Sequence, residues 1–228
     1  MTEFWNDIAT DSSWKALIGL RRSMDFILIG GWACYLLTKA VKSKDIDIIV
    51  DFPVLDRLKA AHGVKKNAGL RKYETAVDGV SVDIYVPHYS SFPVPPEDIK
   101  GNCTSVEGFR VVRPEVLLLL KQKAEMDRHD SVKGQKDRVD ILNLLINAGV
   151  DFGLYMDLVK KNRLDSFPKH LKGTVKAAKK EFTYLGIENP RRAKLLKAGL
   201  LKQLSQRRQL TSEQRAGKKT FKQPMPLY

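Results

Sequence analysis

Three aspartates and a pair of glycines are the residues whose types and spacing suit chemistry. Asp45 and Asp47 lie in the run Asp45-Ile46-Asp47-Ile48-Ile49-Val50-Asp51. Strict alternation is the period of a β-strand, so Asp45, Asp47, Ile49 and Asp51 share one face and Ile46, Ile48 and Val50 the other. Carboxylates two apart on a strand stand roughly 6.5–7 Å apart along the backbone. Ionised together they repel, and a divalent cation removes that repulsion by using both. Magnesium suits the pair, because it takes carboxylate oxygens together with substrate phosphates. Asp83, in Ser81-Val82-Asp83-Ile84-Tyr85-Val86, offers a third carboxylate in a second alternating run. Gly30-Gly31 follows the apolar run Phe26-Ile27-Leu28-Ile29 and opens a stretch that can be helical from Ala33 to Lys39. Free N–H groups at a helix start favour an anion such as a triphosphate.

These groups need elements to hold them. Phe26–Ile29 predicts a strand broken by Gly30-Gly31, and Asp45–Asp51 a second strand. Arg71–Val77 and Val80–Val86 alternate on either side of Asp78-Gly79, a favoured two-residue hairpin turn. The hairpin brings Asp83 beside the Asp45–Asp47 strand, with Ser81 and Tyr85 on its face and Val82, Ile84 and Val86 toward the core. Residues 4–22 predict an amphipathic helix around Trp14, Leu17 and Ile18, and Val54–Ala61 another, closed by Gly63. Pro87–Pro96 reads as a loop, with His88 and Tyr89 as surface residues near the site. Val106–Val112 predicts a further short strand around Glu107-Gly108. Pro114–Met126 and Lys136–Ala148 carry helical patterns, Pro114 at its favoured first-turn position. Three more helices are expected at about 151–162, 168–184 and 190–205, and the basic tail from Arg207 reads as flexible.

In order and spacing, Gly30-Gly31, Asp45-Ile46-Asp47 and Asp83 resemble the signature of the DNA-polymerase-β-like nucleotidyltransferase superfamily. Pro114-Glu115 with the helix after it, and Lys136-Asp137-Arg138-Val139-Asp140-Ile141, are similar to the helical part of its toxin-type (abortive-infection) and antibiotic-modifying members. The resemblance covers about residues 26–145. It implies an α/β (α+β) fold, a small mixed sheet with helices followed by an α-helical C-terminal region. The corresponding division is a catalytic core over 1–112, a helical domain over 113–205 and a basic tail over 206–228. It implies metal-dependent transfer of a nucleoside monophosphate from a nucleoside triphosphate to a hydroxyl. Asp45, Asp47 and Asp83 would be catalytic and would hold two Mg²⁺ ions, or Mn²⁺, with Asp83 as general base. Gly30, Gly31, Trp32, Ser43, Lys44 and Lys123 would bind the nucleotide. In similar proteins residues placed like Lys121, Lys136, Asp137 and Asp140 can face it too. Many members carry Ser where this chain has Trp32, and GGWA occurs among antibiotic nucleotidyltransferases. Resemblance to toxin-type members points to a tRNA-like acceptor and admits an antitoxin or other inhibitor as partner. A small antibiotic, a protein hydroxyl and a non-catalytic nucleic-acid-binding scaffold are the alternatives.

Composition bounds the rest. Apolar content is 43% and charged content 29%, as in ordinary globular proteins. No run of about 18 apolar residues predicts a membrane span, and MTEFWNDIATDSSW lacks a signal-peptide pattern. A cytoplasmic location is expected, with Cys34 and Cys103 as buried thiols rather than a disulfide. The four histidines are scattered and predict no zinc site. Net charge is +14, divided very unevenly. Residues 1–150 carry 21 basic and 20 acidic side chains, and residues 151–228 carry 19 and 6. Such segregation favours a polyanionic partner, RNA above all. Lys169, Lys172, Lys176, Lys179 and Lys180 recur at helical spacing and predict one basic stripe for it.

Overall fold

The computed structural model describes residues 7–217, with side chains described as far as 205. Phe4, Trp5 and the tail beyond Gly217 lie outside the described residues. The chain runs α1 (Asp7–Ser23), β1 (Ile27–Ile29), α2 (Gly30–Thr38), β2 (Ile46–Ile49), α3 (Phe52–Ala61), β3 (Lys65–Asn67), β4 (Lys72–Val77) and β5 (Val80–Tyr85). It continues with α4 (Pro96–Ile99), β6 (Cys103–Val106), β7 (Phe109–Val112), α5 (Pro114–Asp127) and α6 (Val132–Asn147). The last elements are α7 (Phe152–Lys161), α8 (Phe167–Ala177), α9 (Lys180–Tyr184) and α10 (Pro190–Gly217). The result is a mixed α/β core followed by a helical C-terminal region.

The sheet has seven strands in the order β3-β4-β5-β2-β1-β7-β6. β2 runs parallel to β5 and β1 parallel to β7, and the remaining pairs are antiparallel. Parallel neighbours are the natural product of the crossovers between them, α3 with the β3–β4 hairpin, and α2 onward. The strands are short because each alternating run is closed by a turn or a glycine. Asp78 (φ 52°) and Gly79 (φ 78°) both take left-handed backbone, the twist-matched turn of a two-residue hairpin. Ile46, Ile48, Val82 and Ile84 are fully buried on one face of the central strands. Ile49, on the carboxylate face, is buried as well, so the polar side of β2 is covered beyond Asp47.

α2 packs against α5 and α6 as well as β1 and β2. This joins the sheet to the helical region through a single apolar core that runs from Ala16 to Leu200. Trp32, 1% exposed, belongs to that core, 5.0 Å from Trp14 and edge-on to Tyr35. Gln122 ties α5 to the later helices: it donates to the Phe167 carbonyl and accepts from the Tyr155 hydroxyl. Buried Glu125 accepts from Arg138 and from His170 Nε2.

Four expectations change. Glu107 (φ 50°) and Gly108 (φ 75°) do not sit within a strand but form the turn of a hairpin, β6–β7, since both take the left-handed region. β3 was hidden by its polar sequence, Lys65-Lys66-Asn67, which has no apolar alternation. The expected helix over 168–184 is two helices. Ala178 turns extended (φ −55°, ψ 127°), buries its methyl group and accepts at its carbonyl from Lys197; Glu181 then accepts from the Lys179 N–H as the chain restarts. The last helix runs past 205 to Gly217.

Candidate active site

β1 ends at Ile29, and α2 begins at once on Gly30, whose φ of +68° few side chains tolerate. The space a Gly30 Cβ would need is filled by Asp47, whose Oδ2 would stand 2.0 Å away. A Gly31 Cβ would meet Ser43 Oγ at 2.5 Å and Lys136 Nζ at 3.3 Å. The two glycines thus serve different ends. Gly30 lets the carboxylate strand close on the turn, and Gly31 lets Ser43 and Lys136 approach the helix start. Ser43 is fixed by donating to the Asp45 carbonyl.

β2 and β5 place Asp47 opposite Asp83 in register, and the next antiparallel strand places Glu74 opposite Asp83. Register partners point to the same side of a sheet, so Asp47, Asp83 and Glu74 form a row across three strands. Burial and the neighbouring Asp83 charge push the Asp47 carboxyl up to about 6. Asp83 Oδ2 accepts from Lys72 Nζ at 2.7 Å, and Lys72 also reaches Glu74 Oε1 at 2.9 Å. Asp45, just before β2, has Lys133 Nζ at 3.8 Å.

A cavity of about 530 Å³ opens over these groups. Gly30, Gly31, Ser43, Asp45, Asp47 and Asp83 line it. α5, α6 and the turn between them add Lys121, Lys123, Arg128, Lys133, Lys136 and Asp137. An apolar end is formed by Leu70, Tyr85, Phe92 and Pro93, with the Tyr85 and Phe92 rings 4.7 Å apart.

The lysines are held by buried aspartates. Lys121, 7% exposed, contacts Asp140 Oδ2 at 2.7 Å and Asp137 Oδ1 at 3.2 Å, and Lys136 contacts the same Asp140 oxygen at 3.0 Å. Arg128 closes on Asp137 Oδ2 at 2.6 Å. Burial opposes the charge on Lys121, but Asp140 and Asp137 outweigh it and raise its pKa. Burial likewise opposes ionisation of Asp140, and Lys121 and Lys136 reverse the balance. The second Asp140 oxygen, Oδ1, is buried without a hydrogen-bond partner among the described residues. The cluster therefore places fixed cations in the same cavity as the carboxylates.

Of the residues singled out in the sequence, Gly30, Gly31, Ser43, Asp45, Asp47, Asp83, Lys121, Lys123, Lys136 and Asp137 come together around this cavity. Lys123 sits at its edge, paired with Asp127. Trp32 and Lys44 do not line it. Trp32 turns into the core and donates its indole N–H to Ser13 Oγ at 2.8 Å, so its place in the nucleotide set is withdrawn. His88 and Tyr89 are absent from the lining as well; Ser91, Phe92 and Pro93 take that part of the loop. The five lysines expected as one stripe are divided by the break at Ala178. Lys169, Lys172 and Lys176 are on α8, with Lys172 donating to Ser205, while Lys179 and Lys180 begin α9. Lys72, Arg128 and Lys133 were not anticipated. The nearest signal was Lys136-Asp137 with Asp140 in an otherwise apolar helical run, a pattern that asks for buried pairing.

Among the described residues no three His, Cys, Asp or Glu side chains are gathered as a cage for a metal ion. The donor set nevertheless fits a hard divalent cation. It consists of oxygens only, and the crowded Asp47–Asp83 pair, with Asp47 disfavoured as an anion, is what such a charge would relieve.

No protein-family model matches the chain, and no curated protein matches it. Solved structures do. An antigenic nucleotidyltransferase-like protein from Paracoccidioides brasiliensis is 21% identical over 73% of this chain and 92% of its own, with a TM-score of 0.38. JHP933 from Helicobacter pylori is 17% identical over 92% of this chain and 99% of its own, with a TM-score of 0.46. At these identities and scores the chemistry has to be read from this chain's own residues.

Proposed function

We propose that this protein is a metal-dependent nucleotidyltransferase. The observation that carries the reading is the in-register Asp47–Asp83 pair beside the Gly30-Gly31 helix start, in one cavity with Lys121, Lys136 and Arg128. Carboxylates and fixed cations around one cavity suit a metal-bound triphosphate, which presents both signs of charge.

Asp47 and Asp83, with Asp45, would hold the divalent ions. Bound there, a metal would neutralise the carboxylates and would stabilise charge on the entering and leaving oxygens. The remaining work falls to the chain. The Gly30 and Gly31 backbone orients the phosphates, and Lys136 and Lys121 offset their charge as pyrophosphate forms. An acceptor hydroxyl attacks the α-phosphorus, a new P–O bond replaces the bond to pyrophosphate, and Asp83 takes the hydroxyl proton. The apolar end at Tyr85 and Phe92 excludes water from that exchange.

RNA is the acceptor that the charge of the last third supports, since 19 basic side chains against 6 acidic ones attract phosphates. A small hydroxyl compound such as an antibiotic is the second reading, favoured by the apolar end of the cavity beside Asp83. Incubation with labelled triphosphates, magnesium and cellular RNA, for the wild type and for Asp47→Asn and Asp83→Asn, tests the proposal. Label entering RNA only with the wild-type protein supports it. Triphosphate consumed without labelling of RNA favours the small acceptor. No transfer to any acceptor sinks the enzymatic reading and leaves a nucleic-acid-binding scaffold.

A further inference from the structure

We infer that Lys72 is a built-in occupant of the cation seat at Asp83 and fixes the order of loading, so that a divalent ion enters with the triphosphate rather than alone. The inference rests on the nucleotidyl-transfer reading above. Lys72 opens β4, next to the strand that carries Asp83. Its Nζ is shared between Asp83 Oδ2 at 2.7 Å and Glu74 Oε1 at 2.9 Å, and its side chain is only 12% exposed. It lines the same cavity as the carboxylates. Burial works against its charge, and the hydrogen bonds to Asp83 and Glu74 outweigh that and keep it protonated.

An ammonium in this place neutralises one carboxylate of a crowded row. A divalent ion arriving alone at Asp83 meets that positive charge at close range, in a partly buried setting where repulsion is weakly screened. A metal–triphosphate complex arrives with excess negative charge, so the same ammonium attracts it. Lys72 also has a place to go. Glu74 already holds it at 2.9 Å and is itself steadied by Asn67 Nδ2 at 3.1 Å. Releasing Asp83 while keeping Glu74 needs only a small rotation at the end of a flexible side chain. A purely structural role, clamping β4 to β5, predicts reduced stability on substitution and a change in metal affinity that is the same with and without triphosphate.

The test uses Mn²⁺ as probe and the full chain, with affinity read from the EPR signal of free Mn²⁺. The proteins are wild type, Lys72→Met, Lys72→Arg, Glu74→Gln and the Lys72→Met/Glu74→Gln pair. Without nucleotide, Lys72→Met should bind Mn²⁺ about tenfold tighter or more, since a unit charge a few Å away is removed. Lys72→Arg should stay near wild type. Glu74→Gln should bind several-fold more weakly, because Lys72 is then committed to Asp83, and the double variant should behave as Lys72→Met. With a non-hydrolysable triphosphate the gap between wild type and Lys72→Met should close or reverse. Unchanged or weaker Mn²⁺ binding by Lys72→Met, or a gap that persists with triphosphate, overturns the inference. Should Lys72→Met fail to fold, Glu74→Gln decides: unchanged or tighter binding overturns it. Failure of the underlying reading looks different, with no triphosphate-dependent Mn²⁺ binding in the wild type and no effect of Asp47→Asn. That result would remove the inference together with its premise.

Discussion

Asp47 and Asp83 stand opposite each other as register partners on two parallel strands, β2 and β5. Neither is near the other in sequence. Parallel pairing is what turns two separate alternating runs into one site, because register partners share a face. Asp47→Asn and Asp83→Asn should each abolish transfer, by at least about a thousandfold on the scale of a missing charge-stabilising group. The fold should survive: Asp47→Asn removes repulsion, and Asp83→Asn leaves Lys72 paired with Glu74. Thermal unfolding and single-turnover assays check both halves; wild-type turnover in either variant would take that residue out of the mechanism.

Stability should depend on pH through Asp47. Its carboxyl is held up at about 6, against an ordinary value of 3.8. A raised acid binds its proton more tightly in the folded state, so folding gains from the neutral form at low pH. That gain is lost as pH rises from about 4 through 6. Asp47→Asn removes the loss. The variant should match the wild type near pH 4, exceed it increasingly up to pH 6, and keep a constant lead above that. Melting curves across pH 4–8 without divalent ions measure this, and added Mg²⁺ should narrow the lead at pH 7. A lead that is the same at every pH would mean that Asp47 carries no such burden.

Gly31 is a glycine of close approach rather than of backbone freedom. Gly31→Ala puts a methyl group against Ser43 Oγ and Cβ, at 2.5 and 2.7 Å before relaxation. It should destabilise by about 1–3 kcal/mol, the usual range for overpacking, and weaken triphosphate binding. Adding Ser43→Gly should restore most of the stability. Gly30→Ala should not be rescued in this way, because its φ of +68° and the Asp47 carboxylate oppose it together. Denaturant titration of the two single variants and the double variant separates these outcomes.

Lys121 and Lys136 share Asp140 but should answer differently to substitution. Lys121→Met leaves Asp137 and Asp140 buried with a main partner gone, and should cost about 3–5 kcal/mol. Lys136→Met leaves Asp140 paired with Lys121 at 2.7 Å and should be folded, with its main loss in triphosphate affinity. Calorimetric titration with a non-hydrolysable triphosphate, alongside urea unfolding, tells them apart. Equal stability losses would mean that the two lysines are interchangeable supports.

The acceptor can be tested on α8 and α9. Changing Lys169, Lys172, Lys176, Lys179 and Lys180 to Gln should weaken RNA binding and flatten its salt dependence by about one slope unit for each phosphate no longer neutralised. Because the break at Ala178 separates the five, the flattening should fall short of what one continuous stripe would give. Mg²⁺ and triphosphate binding should be unchanged. RNA affinity that ignores both salt and these lysines would favour the small acceptor.

The sequence alone determined the local parts of the site. The alternation around Asp45, Asp47 and Asp83 set which way their side chains point, Asp78-Gly79 set the hairpin, and Gly30-Gly31 set the start of α2, because each depends on a few adjacent residues. Tertiary structure alone decided which groups meet across elements. Glu107-Gly108 became a turn, and Lys65–Asn67 became a strand only because β4 was there to pair with it. Trp32, adjacent to the glycines, was drawn into the core by Trp14 and Ser13, since burying an indole with its N–H satisfied outweighs any exposed role. The resemblance pointed to Lys121 and Lys136, but their buried pairing could not be read from their own positions. A lysine on a helix looks the same in sequence whether it faces water or a buried aspartate. Lys121 and Lys136 acquired their places only when the packing of α5 on α6 took Asp140 out of water and left it needing a cation.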